Sequence, residues 1–423
     1  MKDKQKEFDV IIVGSGTSGA TIARELCKQK KKVLLLELGE NIPLKETFSG
    51  IGAIANEVPV ANKMKALRAI TTGGSTALYF GVTKFPSLDH FSSLGIDLSK
   101  ELAEVKKELP IAELPDELLA PQVTRLRQSA TELGYSFKKN QLLVDQSKCT
   151  SGYSYEARWK AKPYVQEAIQ DGATLINKAE VLKVIVENNQ AIGVEYKLKK
   201  GFMGSEIRKV YGTKIIMAAG SLSSPKILRD SGIKDVVDRG FYCKPGFVMF
   251  GAVPGLKGKD NFLGSMSTED DDGIEFGDGN MSNTLFKLLM ISKFKLGHLF
   301  SHSKTITVGV ALNDVMSGEL LENGSYHKQL TDEEFKKLKK GEEAAVKILK
   351  NAGAKTIFKG DVVGGNPGGV IRIQDHLDSN LQTKFRNLYV CDASLLTEEM
   401  NVTPTVTLVC LGKYLARQLL LSL

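Results

Sequence analysis

The hydrophobic pattern is most legible at the start of the chain. Phe8 to Val13 is an apolar, β-branched run interrupted only by Asp9, suited to a buried parallel strand. A glycine-rich turn follows, Gly14-Ser15-Gly16-Thr17-Ser18-Gly19, then apolar residues at helical spacing, Ala20, Ala23 and Leu26. Val33 to Leu36 repeats the buried-strand pattern and closes on Glu37, completing a βαβ unit. From Val181 the runs shorten: Val181–Val186, Ile192–Lys197 and Ile207–Tyr211, with turns at Asn188-Asn189 and Lys200-Gly201, predict an antiparallel meander. Lys214 to Ala218 predicts a further buried strand, and Ser223 to Ser231 a short helix with Pro225 in its first turn.

Between about 239 and 355 the texture changes. Glu269-Asp270-Asp271-Asp272-Gly273 reads as a solvated loop and Thr305 to Leu312 as a strand. Thr331-Asp332-Glu333-Glu334 is a capping box that opens a helix with Phe335, Leu338, Ala345 and Leu349 on one face. Glycine-rich loops then return, with a strand at Leu388 to Cys391 and a final helix from about Pro404. Early and late segments both look ligand-facing. The expected fold is therefore α/β, with a discontinuous Rossmann-like nucleotide-binding domain (residues 1–238 and 356–423) of parallel sheet plus antiparallel β-meander. A smaller α+β substrate domain (239–355) is inserted into it.

Composition adds a few constraints. Many of the 40 glycines sit in clusters, which suggests backbone wrapped around a ligand. The net charge of +8 comes mostly from scattered lysines such as Lys28 to Lys32 and Lys336 to Lys340, without interleaved aromatics, so a solvated surface is expected and no nucleic-acid partner. Five cysteines with no CxxC pair imply no disulfide framework or metal site and fit a reducing cytoplasm. The opening MKDKQKEFDV runs straight into a strand, so no signal peptide is expected, and no apolar run reaches membrane-spanning length. Phe286 to Phe300 is both basic and apolar; the simplest reading is a domain helix with solvated lysines, the others a substrate entrance or a peripheral membrane contact. The last helix, broken by Lys413 and Arg417, reads as a packed terminal helix.

The chemistry begins with Gly14-x-Gly16-x-x-Gly19 and Glu37. The first glycine permits the turn, the second lets backbone approach a pyrophosphate, and the third lets helix and strand pack closely. The helix N-terminus, through Thr17 and Ser18, offers free N–H groups to the phosphates, and Glu37 offers acceptors to the ribose hydroxyls of an adenosine.

Further segments, in order along the chain, resemble the glucose–methanol–choline (GMC) family of FAD-dependent oxidoreductases. Thr72-Gly73-Gly74-Ser75-Thr76-Ala77 is similar to the family's Gly-Gly-Ser loop, which packs against the FAD pyrophosphate and flavin. Ala218-Ala219-Gly220-Ser221-Leu222-Ser223-Ser224-Pro225, continuing to Gly232-Ile233, resembles a family signature. Leu388 to Ser394 matches the late strand whose aspartate, here Asp392 followed by Ala393, lies near the ribityl chain. Thr403-Pro404-Thr405 resembles the start of the last helix, whose N-terminus would stabilise charge at the flavin's pyrimidine edge. The resemblance also implies an adenine contact from the backbone of Val181. FAD is expected to be noncovalent, since the only histidine even loosely near the Gly-Gly-Ser loop is His90.

The departure lies at the catalytic pair. Family members carry a histidine in a His-Pro-x-Gly loop and a second His or Asn before the last helix; here these positions read Asn366-Pro367-Gly368-Gly369 and Thr403. An asparagine amide orients a hydroxyl or carbonyl but takes no proton at neutral pH. His376 is the nearest histidine in sequence, as a substitute base or simply a loop-packing residue. The expected function is hydride transfer between FAD and a small or medium organic substrate, either alcohol/ketone or C–C/C=C, with the electron acceptor open. A catalytically degenerate flavin-binding protein in redox sensing or assembly is the alternative. A nicotinamide-only dehydrogenase would need only the first motif, and the later ones argue against it.

Overall fold

The apolar runs become the centre of a seven-stranded sheet. The computed structural model describes residues 7–201, 204–233, 239–313, 315–400 and 403–423. Phe8–Val13 lies parallel between Val33–Leu36 on one side and the long strand Gly204–Met217 on the other. Thr174–Ile176 and Leu388–Val390 add to the two flanks, again parallel. Every residue from Val10 to Val13 and from Val33 to Leu36 is buried, as strands covered on both faces must be.

Two expected strands, Ile207–Tyr211 and Lys214–Ala218, are one strand of 14 residues. Its first half pairs antiparallel with Gln190–Lys200, and its second half turns parallel to Phe8–Val13 and Leu388–Val390. No reversal is needed, because the strand only exchanges partners. Ala179–Glu187 completes the meander, with a bulge between Val181 and Lys183.

Helix Thr17–Lys28 and the terminal helix Pro404–Leu420 pack together over this sheet. The terminal helix is buried along almost its whole length, including Lys413, which answers Glu25, Glu104 and Glu108 at 3.5, 3.3 and 3.0 Å.

A second sheet is built around Arg239–Ala252, which pairs with Thr305–Leu312 and Val363–Gly368. Ile274–Asp278 pairs on the far side of Thr305–Leu312. The sheet also takes in Ala55–Ala61, Met64–Ala69 and Lys138–Lys139, so it reaches well outside the 239–355 insertion read from the sequence. The expected border at 238 falls among residues 234–238, outside the described ones, as do residues 1–6. Helix Asp332–Asn351 covers one face of this sheet behind the expected capping box: Thr331 and Glu334 bond reciprocally. Leu338, Ala345 and Leu349 are buried beneath it, whereas Phe335, expected on that face, is 57% exposed in the first turn. The acidic run is the turn of a hairpin between Met266–Glu269 and Ile274–Asp278. Among the described residues, no helix is long and apolar enough to cross a membrane.

Candidate functional site

The glycine loop is fixed by what surrounds it. Gly14 has φ +101°, and a Cβ there would lie 2.4 Å from the Ala218 carbonyl oxygen, so the two strand ends touch through bare backbone. Gly74, at φ +59°, would bring a Cβ to 2.9 Å from the Cα of Gly16, so the Gly-Gly-Ser loop lies directly on the first glycine loop. Ser15 Oγ accepts from Gly73 N–H at 3.3 Å and donates to Glu37 Oε2 at 2.7 Å, while Ser75 Oγ accepts from Ala69 N–H. The loops at residues 14–19 and 72–75 and the end of Val33–Leu36 thus form one cradle.

Its electrostatics suit a dinucleotide. No side chain caps helix Thr17–Lys28, which leaves the amides at Thr17, Ser18 and Gly19 as a donor set. Side-chain positions at Gly16 and Gly220 would meet no atom within 4 Å, so both border open space where a pyrophosphate and ribityl chain can lie against backbone. Glu37 is buried and accepts from Ser15 N–H, Ser15 Oγ and Gly39 N–H, at 3.0, 2.7 and 2.7 Å. A carboxylate has about four acceptor directions, so one remains for a ribose hydroxyl. Val181 lies two residues beyond Ala179, whose N–H bonds the Glu37 carbonyl, and a bulge interrupts the ladder just after it.

Asp392 is fully engaged by the protein. One oxygen accepts from Gly220 N–H and Ser224 Oγ at 2.9 and 2.5 Å, the other from Ser394 N–H and Oγ at 2.9 and 2.6 Å. Burial pushes its pKa up against these bonds. Its side chain shapes the Ala219-Gly220 turn and the start of Ala393–Leu395.

Sequence reasoning missed Arg68. Its Nε donates to Asn56 Oδ1 at 2.9 Å and its Nη1 to Ser223 Oγ at 2.6 Å. Burial pulls its pKa down, and Tyr326 and Glu37 oppose that shift. It is a cation tied to the 220–224 turn through Ser223 and within electrostatic reach of Glu37. Nothing local marks it: Met64–Ala69 reads as an ordinary half-buried strand.

The second cluster lies between the two sheets. Asn366 has φ +43°, and the pairs Lys244–Gly365 and Tyr242–Gly368 leave two residues, Asn366 and Pro367, opposite the single Cys243. A bulge therefore lifts Asn366 out of the ladder in a left-handed conformation that asparagine tolerates. Thr403, just before Pro404, caps nothing in its own helix; its Oγ1 accepts from the Lys84 backbone N–H at 2.7 Å. Thr405 is buried in the helix's first turn.

Lys84 Nζ stands 3.7 Å from Glu275 Oε1, and Lys244 Nζ 2.7 Å from the same oxygen. Lys244 reaches Glu275 across an intervening strand because the row between them is Gly246 beside Ala311. Burial opposes ionisation of Glu275, but Lys244 and Lys84 outweigh it and hold its pKa below the ordinary value. This chain of contacts joins Thr403 to the Asn366 bulge. Lys84, Lys244 and Glu275 had no signal in the sequence, because only tertiary packing brings the three segments together.

His376 is elsewhere engaged. Its Nδ1 accepts from Arg372 N–H at 2.9 Å within a turn anchored to Arg239 and Asp375. Tyr79 is also committed to packing, its hydroxyl donating to the Trp159 carbonyl at 2.7 Å.

Comparison with known proteins adds four matches. The family model described as GMC oxidoreductase matches residues 8–242. An uncharacterized protein of Methanocaldococcus jannaschii is 25% identical over 423 residues, spanning 98% of this chain and 100% of its own. Among solved structures, pyridoxine 4-oxidase from Mesorbium loti superposes with a TM-score of 0.71 at 15% identity, covering 97% of this chain and 99% of that one. A variant of Aspergillus oryzae formate oxidase, studied for FAD modification, does so with a TM-score of 0.71 at 15% identity and 99% coverage of both chains. At these identities the two structures speak for a shared fold.

Proposed function

This chain belongs to the GMC oxidoreductase family, and on that footing we propose that it transfers hydride between FAD and a small or medium organic substrate, with the protein supplying protons rather than taking them. As a family member it is an FAD-dependent oxidoreductase. FAD, when bound, supplies the hydride donor or acceptor; Gly16, Glu37, Arg68, Gly74 and Gly220 are the residues proposed to hold it.

The observation that carries the proposal is the inventory around Asn366. The Asn366 amide donates to or accepts from a substrate oxygen but does not take its proton. Thr403 Oγ1 already accepts from Lys84 N–H, which leaves its hydroxyl hydrogen to donate. Lys84 and Lys244 are ammonium donors, and Glu275 between them is held ionised and weakly basic. Alcohol oxidation needs a base for the hydroxyl proton, worth roughly a hundred- to ten-thousand-fold in rate. Reduction of a ketone, or of a C=C bond beside a carbonyl, instead needs a donor to the developing oxyanion, and this site is rich in donors.

The test is anaerobic mixing of the FAD-loaded protein with two panels. Photoreduced protein should regain its oxidised flavin absorbance with ketones or enones. Bleaching of the oxidised protein by alcohols alone overturns the reductive reading. Bound FAD that responds to neither panel supports a degenerate flavin-binding protein, the second reading that the missing base favours.

A further inference from the structure

Helix Asn283–Ser292 lays Phe286 and Met290 onto Phe250 in a small core of its own. The chain then leaves that core through Phe294, at φ +53°, and projects large apolar side chains outward. Phe294 is 89% exposed, Phe300 84% and Leu296 60%. Single exposed apolar residues are common, but three in seven positions, two of them phenylalanine, are not.

The charge carried by this segment has one sign. Residues 283–304 contain Lys287, Lys293, Lys295 and Lys304 and no aspartate or glutamate. Lys287 Nζ lies 5.4 Å from the centre of the Phe300 ring. A cavity of about 410 Å³ beside Phe294 has Phe250, Leu289 and Phe358 in its wall and Lys65, Lys293 and Lys295 around them; Asp361, paired with Lys293 at 2.5 Å, is the one carboxylate among its described residues, so the cavity stays net positive. Aromatic and apolar side chains amid lysines match an anionic lipid surface, where rings enter the headgroup boundary and ammonium groups meet the phosphates. A second copy of the chain suits the tip poorly, since it would bring the same lysines face to face.

We infer that the 291–300 tip docks this enzyme on anionic membranes. The tip meets the second sheet at Phe250, six residues or roughly 20 Å along the strand from Lys244 at ~3.3 Å per residue, so the bilayer surface would lie farther than that from the candidate reaction site.

Co-sedimentation of the FAD-loaded protein with vesicles tests this. Binding to phosphatidylglycerol vesicles should exceed binding to phosphatidylcholine vesicles at least tenfold and weaken with added salt. The Phe294→Ser/Phe300→Ser double variant should lose at least tenfold of that binding with unchanged flavin content and melting temperature. A Lys287→Gln/Lys295→Gln variant should lose the preference for phosphatidylglycerol. Equal binding by wild type and the Phe→Ser variant overturns the inference, as does a lack of lipid preference. A concentration-dependent dimer abolished by the Phe→Ser changes would instead assign the tip to a second copy. None of these readouts depends on which substrate the flavin serves.

Discussion

At the residue scale, the decisive position is Asn366. Its φ of +43° and its place in a bulge beside Lys244 put a polar, non-basic side chain where the family resemblance calls for histidine. Histidine, like asparagine, is among the residues enriched at positive φ, so Asn366→His fits this backbone. If only a base is lacking, Asn366→His should raise alcohol-driven flavin reduction at least tenfold, with a pH profile rising through about 6.5 as the imidazole becomes neutral. Stopped-flow absorbance of the variant and wild type over pH 5–8 checks this; an unchanged rate means that geometry, not basicity, limits alcohol oxidation. Lys244→Met should act in the opposite direction, lowering carbonyl reduction by about tenfold or more while Glu275 loses its closest cation. A matching fall in kcat with little change in KM would mark a group that acts on the reacting atoms. The sequence marked Asn366 and Thr403 through their neighbours Pro367 and Pro404, which remain motif-like. It could not mark Lys84, Lys244 or Glu275, since the Lys244–Glu275 contact depends on Gly246 and Ala311 leaving a gap across an intervening strand and Lys84 arrives from a separate sheet.

At the element scale, period and punctuation carried much of the local structure. The strand Thr305–Leu312, the helix Ser224–Asp230 and the capping box at Thr331 all stand within a residue or so of where their patterns put them. What the pattern hid was continuity. A turn-free join between Tyr211 and Lys214 looks like two strands, and only the change of pairing partners explains the change of texture. Exposure was hidden too: Phe335 fits the apolar spacing but stays exposed in the first turn, whereas Leu338, one turn on, is buried. The two glycine loops have a sharper consequence. Gly74→Ala places a methyl group 2.9 Å from Gly16 Cα at a φ of +59°. Strain at such a position is of order 1–3 kcal/mol, so FAD affinity should fall roughly 5- to 150-fold. Titration of the apoprotein by flavin fluorescence measures this. Gly204→Ala, which meets no neighbour, should bind FAD normally.

At the scale of the whole molecule, the two ends of the chain are clamped by charge as well as by apolar packing. Lys413 of the terminal helix lies among Glu25, Glu104 and Glu108, while Arg24 of the first helix pairs with Glu108 and Glu167. Tyr164 also donates to Glu108. Burial opposes ionisation of Glu108, but the bonds from Tyr164 and Lys413 and the charge of Arg24 bring its pKa down to about 2. Its folded pKa therefore lies below its unfolded value. The stability this provides is complete above about pH 5 and is lost as the pH falls towards 2. Glu108→Gln should be less stable than wild type at neutral pH, and its stability should change less between pH 5 and 3. Urea unfolding of both proteins across that range tests the sign, and parallel curves would remove Glu108 as a source of the acid response. Lys413→Met probes the same clamp from the other side. It leaves three carboxylates without their shared cation; because Glu25, Glu104 and Glu108 are partly exposed and Glu108 keeps Arg24, the cost should fall below the ~3–5 kcal/mol of a fully buried pair. Because these helices cover the sheet that holds the first glycine loop, the variant should release FAD at a lower temperature than wild type. Flavin fluorescence during a thermal ramp should show release and unfolding together. Release well before unfolding would mean that the cradle is loosened locally while the rest of the fold still stands.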